Sequence, residues 1–271
     1  WVYNFSLPRL RDSAQRLIET YNEERECVHR TRAADLKAGA KVRDLVTNDE
    51  TRIKWTSGLF SDLAKNRAIS YDAGATYCGL YRPFCKQWLN ASDGIIHRPA
   101  VLHRYFPTPG HDNIGFYAVG TGSDKQFSCM AADQVPDLAF WGSSSGQFFP
   151  RWTWQPVGGR HAAEAGILDL LRGGDAEESG ATAGQEGEVQ GGYRRADNIT
   201  DATLRSYQAA YGPEVTKDDV FYYVYALLHS PEYRKQYGAD LKKSLPHIPL
   251  VASREDFVAF TTAGRGLADL H

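Results

Sequence analysis

No stretch of this chain approaches the ~20 apolar residues that a membrane span requires, and its first residues lack the charged-then-apolar order of a signal peptide. Both absences predict a protein with no membrane partner that works in the cytoplasm. The four cysteines, Cys27, Cys78, Cys85 and Cys129, show no CxxC spacing, so they read as free buried thiols in a reducing compartment. There is no GxxxxGK[ST] loop and no GxGxxG following a strand, which removes the usual sequence support for nucleotide binding. His97, His103 and His111 fit no standard zinc pattern. Gly142–Gly146 has a serine core but no helix-forming run behind it, so it reads as a hairpin tip rather than a nucleophile turn. Asp218-Asp219 and Glu255-Asp256 stand at helix starts, where backbone amides and the helix dipole account for them. No internal repeat is present. The sequence therefore predicts no catalytic residue, no metal site and no cofactor bound by the chain itself.

What is present is aromatic and unevenly charged. Fifteen Tyr, twelve Phe and six Trp among 271 residues supply a large packing inventory. The net charge is −2, but residues 173–192 hold five acids and no base; setting those five charges aside leaves +3 on the remainder. Mild basicity of that kind is compatible with a nucleic-acid face. A chain that opens on Trp1-Val2-Tyr3 and closes on His271 reads as an excised fragment.

Helical periodicity predicts a helix from Pro8 to His29, a short piece over Val42–Val46 and a third over 51–67 capped by Thr56 or Ser57. From 69 to 154 the pattern changes to short apolar runs bounded by turn residues, which predicts strands: Ala75–Tyr81, Ile95–Ile96, Ala100–Phe106, Ile114–Val119, Phe127–Met130 and Leu138–Trp141. Residues 172–192 are Gly-rich, acidic and nearly devoid of apolar side chains, so a mobile surface loop is expected. Thr200-Asp201 opens a helix over Ala202–Tyr211, and Ser253 opens the last one. The predicted fold class is α+β, with N-terminal helices, a central mixed or antiparallel sheet and a C-terminal helical bundle. The predicted division is 1–68 as an N-terminal helical segment and 69–271 as the functional domain, itself split into 69–171 (strand-rich), 172–192 (loop) and 193–271 (helical).

The stretch Thr216–Pro249 carries the strongest local signals. Thr216 with Asp219 resembles a capping box, and Val220, Tyr223, Val224, Leu227 and Leu228 trace one apolar helix face. Ser230-Pro231 ends that helix and starts another, along which Tyr233, Tyr237 and Leu241 align; Pro246 and Pro249 then force an extended exit.

Those same residues, YYVYALLHSPEYRKQYGADLKKSLPHIP with the closing REDFVAFTTAGRGLADLH, resemble the C-terminal segment of the single-chain ATP-dependent (type ISP) restriction-modification enzymes and related helicase-methyltransferase proteins. Tyr81-Arg82-Pro83-Phe84 with Lys86, Phe148-Phe149-Pro150, and Arg195-Ala196-Asp197-Asn198-Ile199 fit the resemblance in order. His247 departs from it, standing where the family pattern has Arg. The resemblance implies a target-recognition domain that binds double-stranded DNA beside the N6-adenine methyltransferase domain of the same chain, in a bacterial cytoplasm. It also implies S-adenosylmethionine, and ATP with Mg, as cofactors of the parent enzyme. No NPP-aromatic tetrad for gripping a flipped adenine is present, so methyl transfer is expected of another domain. Cation and amide placement nominates Arg98, Arg104, Arg151, Arg194 and Arg195 for DNA contact, joined by Asn113 and Asn198, since Arg suits guanine or phosphate and Asn suits adenine. Arg82 and Lys86 are further candidates, although Arg82 also suits anchoring a sheet edge through carbonyls. Two other readings remain open here: a protein-interaction module coupling a motor to the methyltransferase, and a carbohydrate-binding domain stacking sugars on Phe148–Trp154.

Overall fold

A computed structural model describes residues 2–96, 102–142, 146–157 and 187–271. The backbone forms two compact units, Trp1–Val101 and Leu102–His271. The α+β class holds, with helices first, small antiparallel sheets in the middle and a helical C-terminal part.

In the first unit, strand β1 (Tyr3–Asn4) leads into the long helix α1 (Leu7–Thr31), whose Pro8 sits where its missing N–H costs nothing. Leu10, Ala14, Leu17, Ile18, Tyr21 and Val28 form its buried stripe. α2 (Ala33–Lys37) and a 3₁₀ turn at Val42–Asp44 follow, then α3 (Ser57–Ala64), capped by Thr56 Oγ1 accepting from the Leu59 amide. Helices α1 and α3 close a core of their own with Ile53, Ile69 and Ile95. Polar tips of α1 fix the surrounding chain: Tyr21 donates to the Arg67 carbonyl at 2.7 Å and Asn22 to that of Ile69 at 2.8 Å. β2 (Thr76–Arg82) and β3 (Cys85–Asn90) form an antiparallel hairpin, and β1 adds to the far edge of β3. Asn90, fully buried, donates to Asp72 O and Thr76 Oγ1 and accepts from Ser92, so no polar atom of it is stranded.

The second unit begins with the single helical turn α4 (Leu102–Tyr105), followed by β4 (Gly115–Val119), β5 (Cys129–Ala132), β6 (Val135–Pro136), β7 (Gly146–Pro150) and β8 (Trp152–Pro156). β9 (Val189–Gln190), β10 (Tyr193–Asp197), α5 (Asp201–Tyr211), α6 (Lys217–His229), α7 (Pro231–Tyr237) and α8 (Arg254–Leu270) complete it. Two sheets result, ordered β5-β4-β7 and β8-β10-β9.

α6 lies at the centre. The Thr216–Asp219 capping box forms reciprocally, as its spacing predicts. The helix is buried on more than the one predicted face: Phe221, Tyr225 and Ala226 are covered too, while Val224 is only half-buried. It is enclosed because Phe221 and Tyr225 meet Phe116 of β4, while Tyr223 meets Phe257 of α8. Three tyrosines then staple the proline-rich exit: Tyr233 donates to His247 O at 2.7 Å, Tyr223 to Pro249 O at 2.5 Å and Tyr211 to Val251 O at 2.9 Å. Those carbonyls are two residues apart because an extended chain repeats every second residue. Arg234 donates to Leu228 O at 2.6 Å, which ties α7 to the end of α6.

Several strand expectations give way. Leu102–Tyr105 is helical rather than extended, held by Asn113 donating to Tyr105 O at 2.9 Å and by packing of Tyr105 and Phe106 on Phe148. Ile95–Ile96 and Leu138–Trp141 lie in turns. In the second, Asp137 Oδ1 accepts the Ala139 amide and Asp137 O that of Phe140, so a local aspartate turn outcompetes extension. Leu241 is buried as expected, but α7 ends at Tyr237 and the chain reaches Leu241 through turns. Of the predicted loop 172–192, residues 172–186 lie outside the described residues. Its last part contributes β9, because Val189 and Gln190 find backbone partners on β10. Serines 143–145 of the predicted hairpin tip also lie outside the described residues.

Candidate nucleic-acid interface

The sheet β8-β10-β9 separates the nominated cations by strand parity. β10 runs antiparallel to β8 with Tyr193 opposite Pro156, Arg194 opposite Gln155, Arg195 opposite Trp154, Ala196 opposite Thr153 and Asp197 opposite Trp152. Directly opposed residues share a face, and neighbours along a strand do not. One face therefore carries Tyr193, Arg195, Asp197, Trp152 and Trp154, and the other carries Arg194, Ala196, Gln155 and Thr153.

The first face is packed and ion-paired. Trp154 is only 2% exposed and, with Tyr193, meets the His111 ring edge-on. His111 is fixed through Thr108 Oγ1 at 2.7 Å and Gln190 O at 3.0 Å. Arg195 pairs with Glu188 at 3.1 Å and lies 5.0 Å over the Trp152 ring. At the edge of this face, Arg151 is sealed in, with a side chain only 7% exposed. Its Nε donates to Asp218 at 2.7 Å and its Nη1 to Asp197 at 2.5 Å. Lys217 adds a cation to Asp197 at 3.0 Å and to Asp201 at 2.6 Å.

Of the residues nominated for DNA contact, Arg151 and Asn113 are thus buried rather than projecting into solvent. Arg151 joins the β7–β8 bend to the start of α6. Buried Asn113 donates to Tyr105 O and Trp152 O, both at 2.9 Å, and accepts from the Trp152 amide. Asn198, though exposed, donates to Pro150 O at 2.9 Å. Asn113 and Asn198 thereby satisfy backbone groups at a bend in the sheet.

The second face is different. Arg194 and Gln155 are exposed, Thr153 and Ala196 half-buried, and among the described residues neither Arg194 nor Gln155 has an ion-pair or side-chain hydrogen-bond partner. Glu188 and Asp197 are engaged on the opposite side. Arg104 is exposed on α4, a turn that packs against β8. Arg98 lies outside the described residues.

In the first unit, the β2–β3 hairpin turns at Pro83-Phe84. Phe84 has φ +60°, the position where a turn with proline before it normally takes glycine. Its ring is 68% exposed, with Arg82 before it and exposed Lys86 on β3 behind. Arg82 folds over the Tyr81 ring at 4.0 Å and donates to the carbonyl of Tyr81, its neighbour in sequence, at 2.5 Å.

Sequence reasoning missed Gln155 and Thr153. Their signal was the alternation Trp-Thr-Trp-Gln-Pro, which places both on the side away from the tryptophans. The same alternation dismantles the carbohydrate platform: Trp154 is interior and Phe149 stacks on Phe116 at 5.3 Å. No group of three or more His, Cys, Asp or Glu among the described residues is arranged to hold a metal ion. No helix among them is long and apolar enough to cross a membrane.

A tyrosine-stapled helical core holding a small sheet, one face locked and the other polar, defines an α+β module built to present side chains. Residues 1–271 match the family described as Type ISP C-terminal specificity domain, and the chain belongs to that family. Its fold matches a nuclease-deletion mutant of the Type ISP restriction-modification enzyme LlaGI in complex with a DNA substrate mimic, with TM-score 0.71 and 27% identity over 100% of this chain and 20% of that one. The DrdV–DNA complex shares the fold at TM-score 0.76 and 24% identity, over 100% of this chain and 22% of that one. The ATP-dependent Type ISP restriction-modification enzyme LlaBIII bound to DNA does so at 0.72 and 24%, over 100% and 14%. The chain thus spans about a fifth or less of each of these relatives. No curated protein matches it.

Proposed function

We propose that this chain recognises a specific sequence in double-stranded DNA, as the target-recognition domain of a restriction-modification N6-adenine methyltransferase. The observation that carries the reading is the match of the whole chain to a specificity-domain family, and the DNA-bound state of the LlaGI relative supports it. Recognition falls within 69–271, with 1–68 as a helical segment beside it. Among the nominated residues, Arg194 and Arg104 are exposed cations of the second unit that fit phosphate or base contact, with half-buried Arg82 and exposed Lys86 as a further pair on the hairpin of the first. Arg151, Arg195, Asn113 and Asn198 act as positioning residues that hold the sheet in shape. Arg98 keeps its place among the proposed contacts on sequence grounds alone.

The parent enzyme would supply methyl transfer from S-adenosylmethionine through a methyltransferase domain in the same chain, with ATP and Mg for a motor, in the bacterial cytoplasm. The domain itself would present the adenine and perform no chemistry. Counterion release makes such binding fall steeply with salt. Titrating a labelled duplex into the 271-residue chain between about 50 and 200 mM salt tests the reading. A linear loss of log affinity with log salt is expected, and a flat response rejects DNA as the partner.

A further inference from the structure

We infer that the face of the β8–β10 pair carrying Arg194 and Gln155 reads bases, with Arg194 reading a guanine and Gln155 an adenine in the same or the adjoining base-pair step. The inference rests on the DNA-binding reading above and goes beyond it by naming the readers and the bases.

The register carries the argument. Arg194 and Gln155 are directly opposed across antiparallel strands, so their Cβ atoms lie about 5 Å apart on one face. Successive base pairs lie about 3.4 Å apart along the duplex. Two long side chains rooted at that separation reach neighbouring pairs without either strand moving. Arg makes a bidentate contact with guanine O6 and N7, and Gln does the same with adenine N6 and N7. Beside them, Thr153 and Ala196 are opposed on the same face, and both residue types pack on a thymine methyl group.

Arg195 is the internal contrast. One residue along β10, it faces the other way, is matched by Glu188 and is stacked on Trp152. The fold thus commits one arginine of the pair to structure, and the other has no ion-pair partner among the described residues. Beneath the two strands, Trp154, Tyr193 and His111 interlock edge-to-face. That packing opposes a register slip, which would turn the readers inward.

The test uses a duplex pool randomised over one helical turn. Sites are enriched on the wild-type chain, on Arg194→Ala and on Gln155→Ala. Both side chains are exposed, so folding is expected to be unaffected, and circular dichroism checks it. The wild type should enrich a motif with a G·C and an A·T pair in the same or adjoining step. Arg194→Ala should relax the guanine preference roughly ten- to hundredfold and leave the other positions intact; Gln155→Ala should relax the adenine alone. Uniform weakening on every sequence would make Arg194 a phosphate contact and overturn the assignment, as would an unchanged motif and affinity. If the wild type binds no duplex at any salt, the DNA reading itself falls. If it binds but the variants keep its motif, only this inference does.

Discussion

Two glycines in α8, two residues apart, should respond to alanine with opposite signs. A Cβ at Gly264 would stand 2.0 Å from Tyr222 O on α6 and 3.3 Å from Ala226 Cβ, whereas a Cβ at Gly266 meets nothing within 4 Å. The obstacle at Gly264 is backbone in a buried helix, so no side chain can swing away. Restoring an ordinary contact requires α8 to retreat by roughly 1.5 Å. That retreat loosens the seam around Phe257 and stretches the Arg265–Asp219 pair, now 2.9 Å, and the Arg265 stack on Tyr222 at 4.4 Å. Overpacking of this kind costs about 1–3 kcal/mol, and the exposed ion pair adds up to about 1. Replacing a helical glycine returns about 1 kcal/mol. Because the obstacle is backbone, the overpacking cost sits at about 2–3 kcal/mol, so Gly264→Ala should lose about 1–3 kcal/mol in all, and Gly266→Ala should gain up to about 1. Urea unfolding with an unchanged m-value measures both, and thermal unfolding should show Gly264→Ala lower by roughly 2–10 °C. If Gly264→Ala is as stable as the wild type, the two helices are not in backbone contact and the close-packing argument is wrong.

Replacing Arg151 by Met should destabilise the fold by about 1–3 kcal/mol, since it takes the ion-pair partner from half-exposed Asp218 and leaves Asp197 with Lys217; equilibrium unfolding at neutral pH checks the size. Asp197 ties the same network to pH. Burial alone would raise its pKa, but the hydrogen bonds and charges of Arg151 and Lys217 outweigh burial and hold it below the usual carboxylate range. A depressed folded value contributes stability above the unfolded pKa, about 3.9, and that contribution is lost as pH falls through the folded value. Asp197→Asn should therefore flatten the acid limb of the stability profile below about pH 4. Thr216→Ala removes the acceptor for the Asp219 amide and should cost about 1 kcal/mol, read as a shift in urea midpoint. A thiol probe at mild alkaline pH should label exposed Cys27 quickly and leave Cys129 unreacted until unfolding. Burial pushes the Cys129 thiol up to about 12, and burial with the nearby Arg234 and His271 charges brings its neighbour His229 down to about 4.

Much of the helical architecture was legible because its determinants are local. Thr56, Thr200, Thr216, Ser230 and Ser253 all cap the helices they were read to start, each accepting an amide three residues on. The family pattern was legible for the same reason, being concentrated in the continuous Thr216–Pro249 stretch. Strand expectations fare worse where a two- to seven-residue run has to choose its partner. Leu102–Tyr105 became a helical turn under Asn113, and β10 was invisible until β8 supplied its ladder.

The candidate site divides along the same line. Residue types alone determined that arginines and asparagines from 82 to 198 were the groups worth weighing, and that the chain lacked the motifs of a catalyst. Which of them face solvent was decided by tertiary structure alone. Arg194 and Arg195 are chemically identical neighbours, and only pairing with β8 and β9 sends one to Glu188 and leaves the other outward. Arg151 is nominated for DNA by its residue type, but Asp197 and Asp218, 46 and 67 residues further along the chain, close around it. Composition says how much charge a chain holds, but burial and pairing depend on contacts between distant residues that no local pattern encodes.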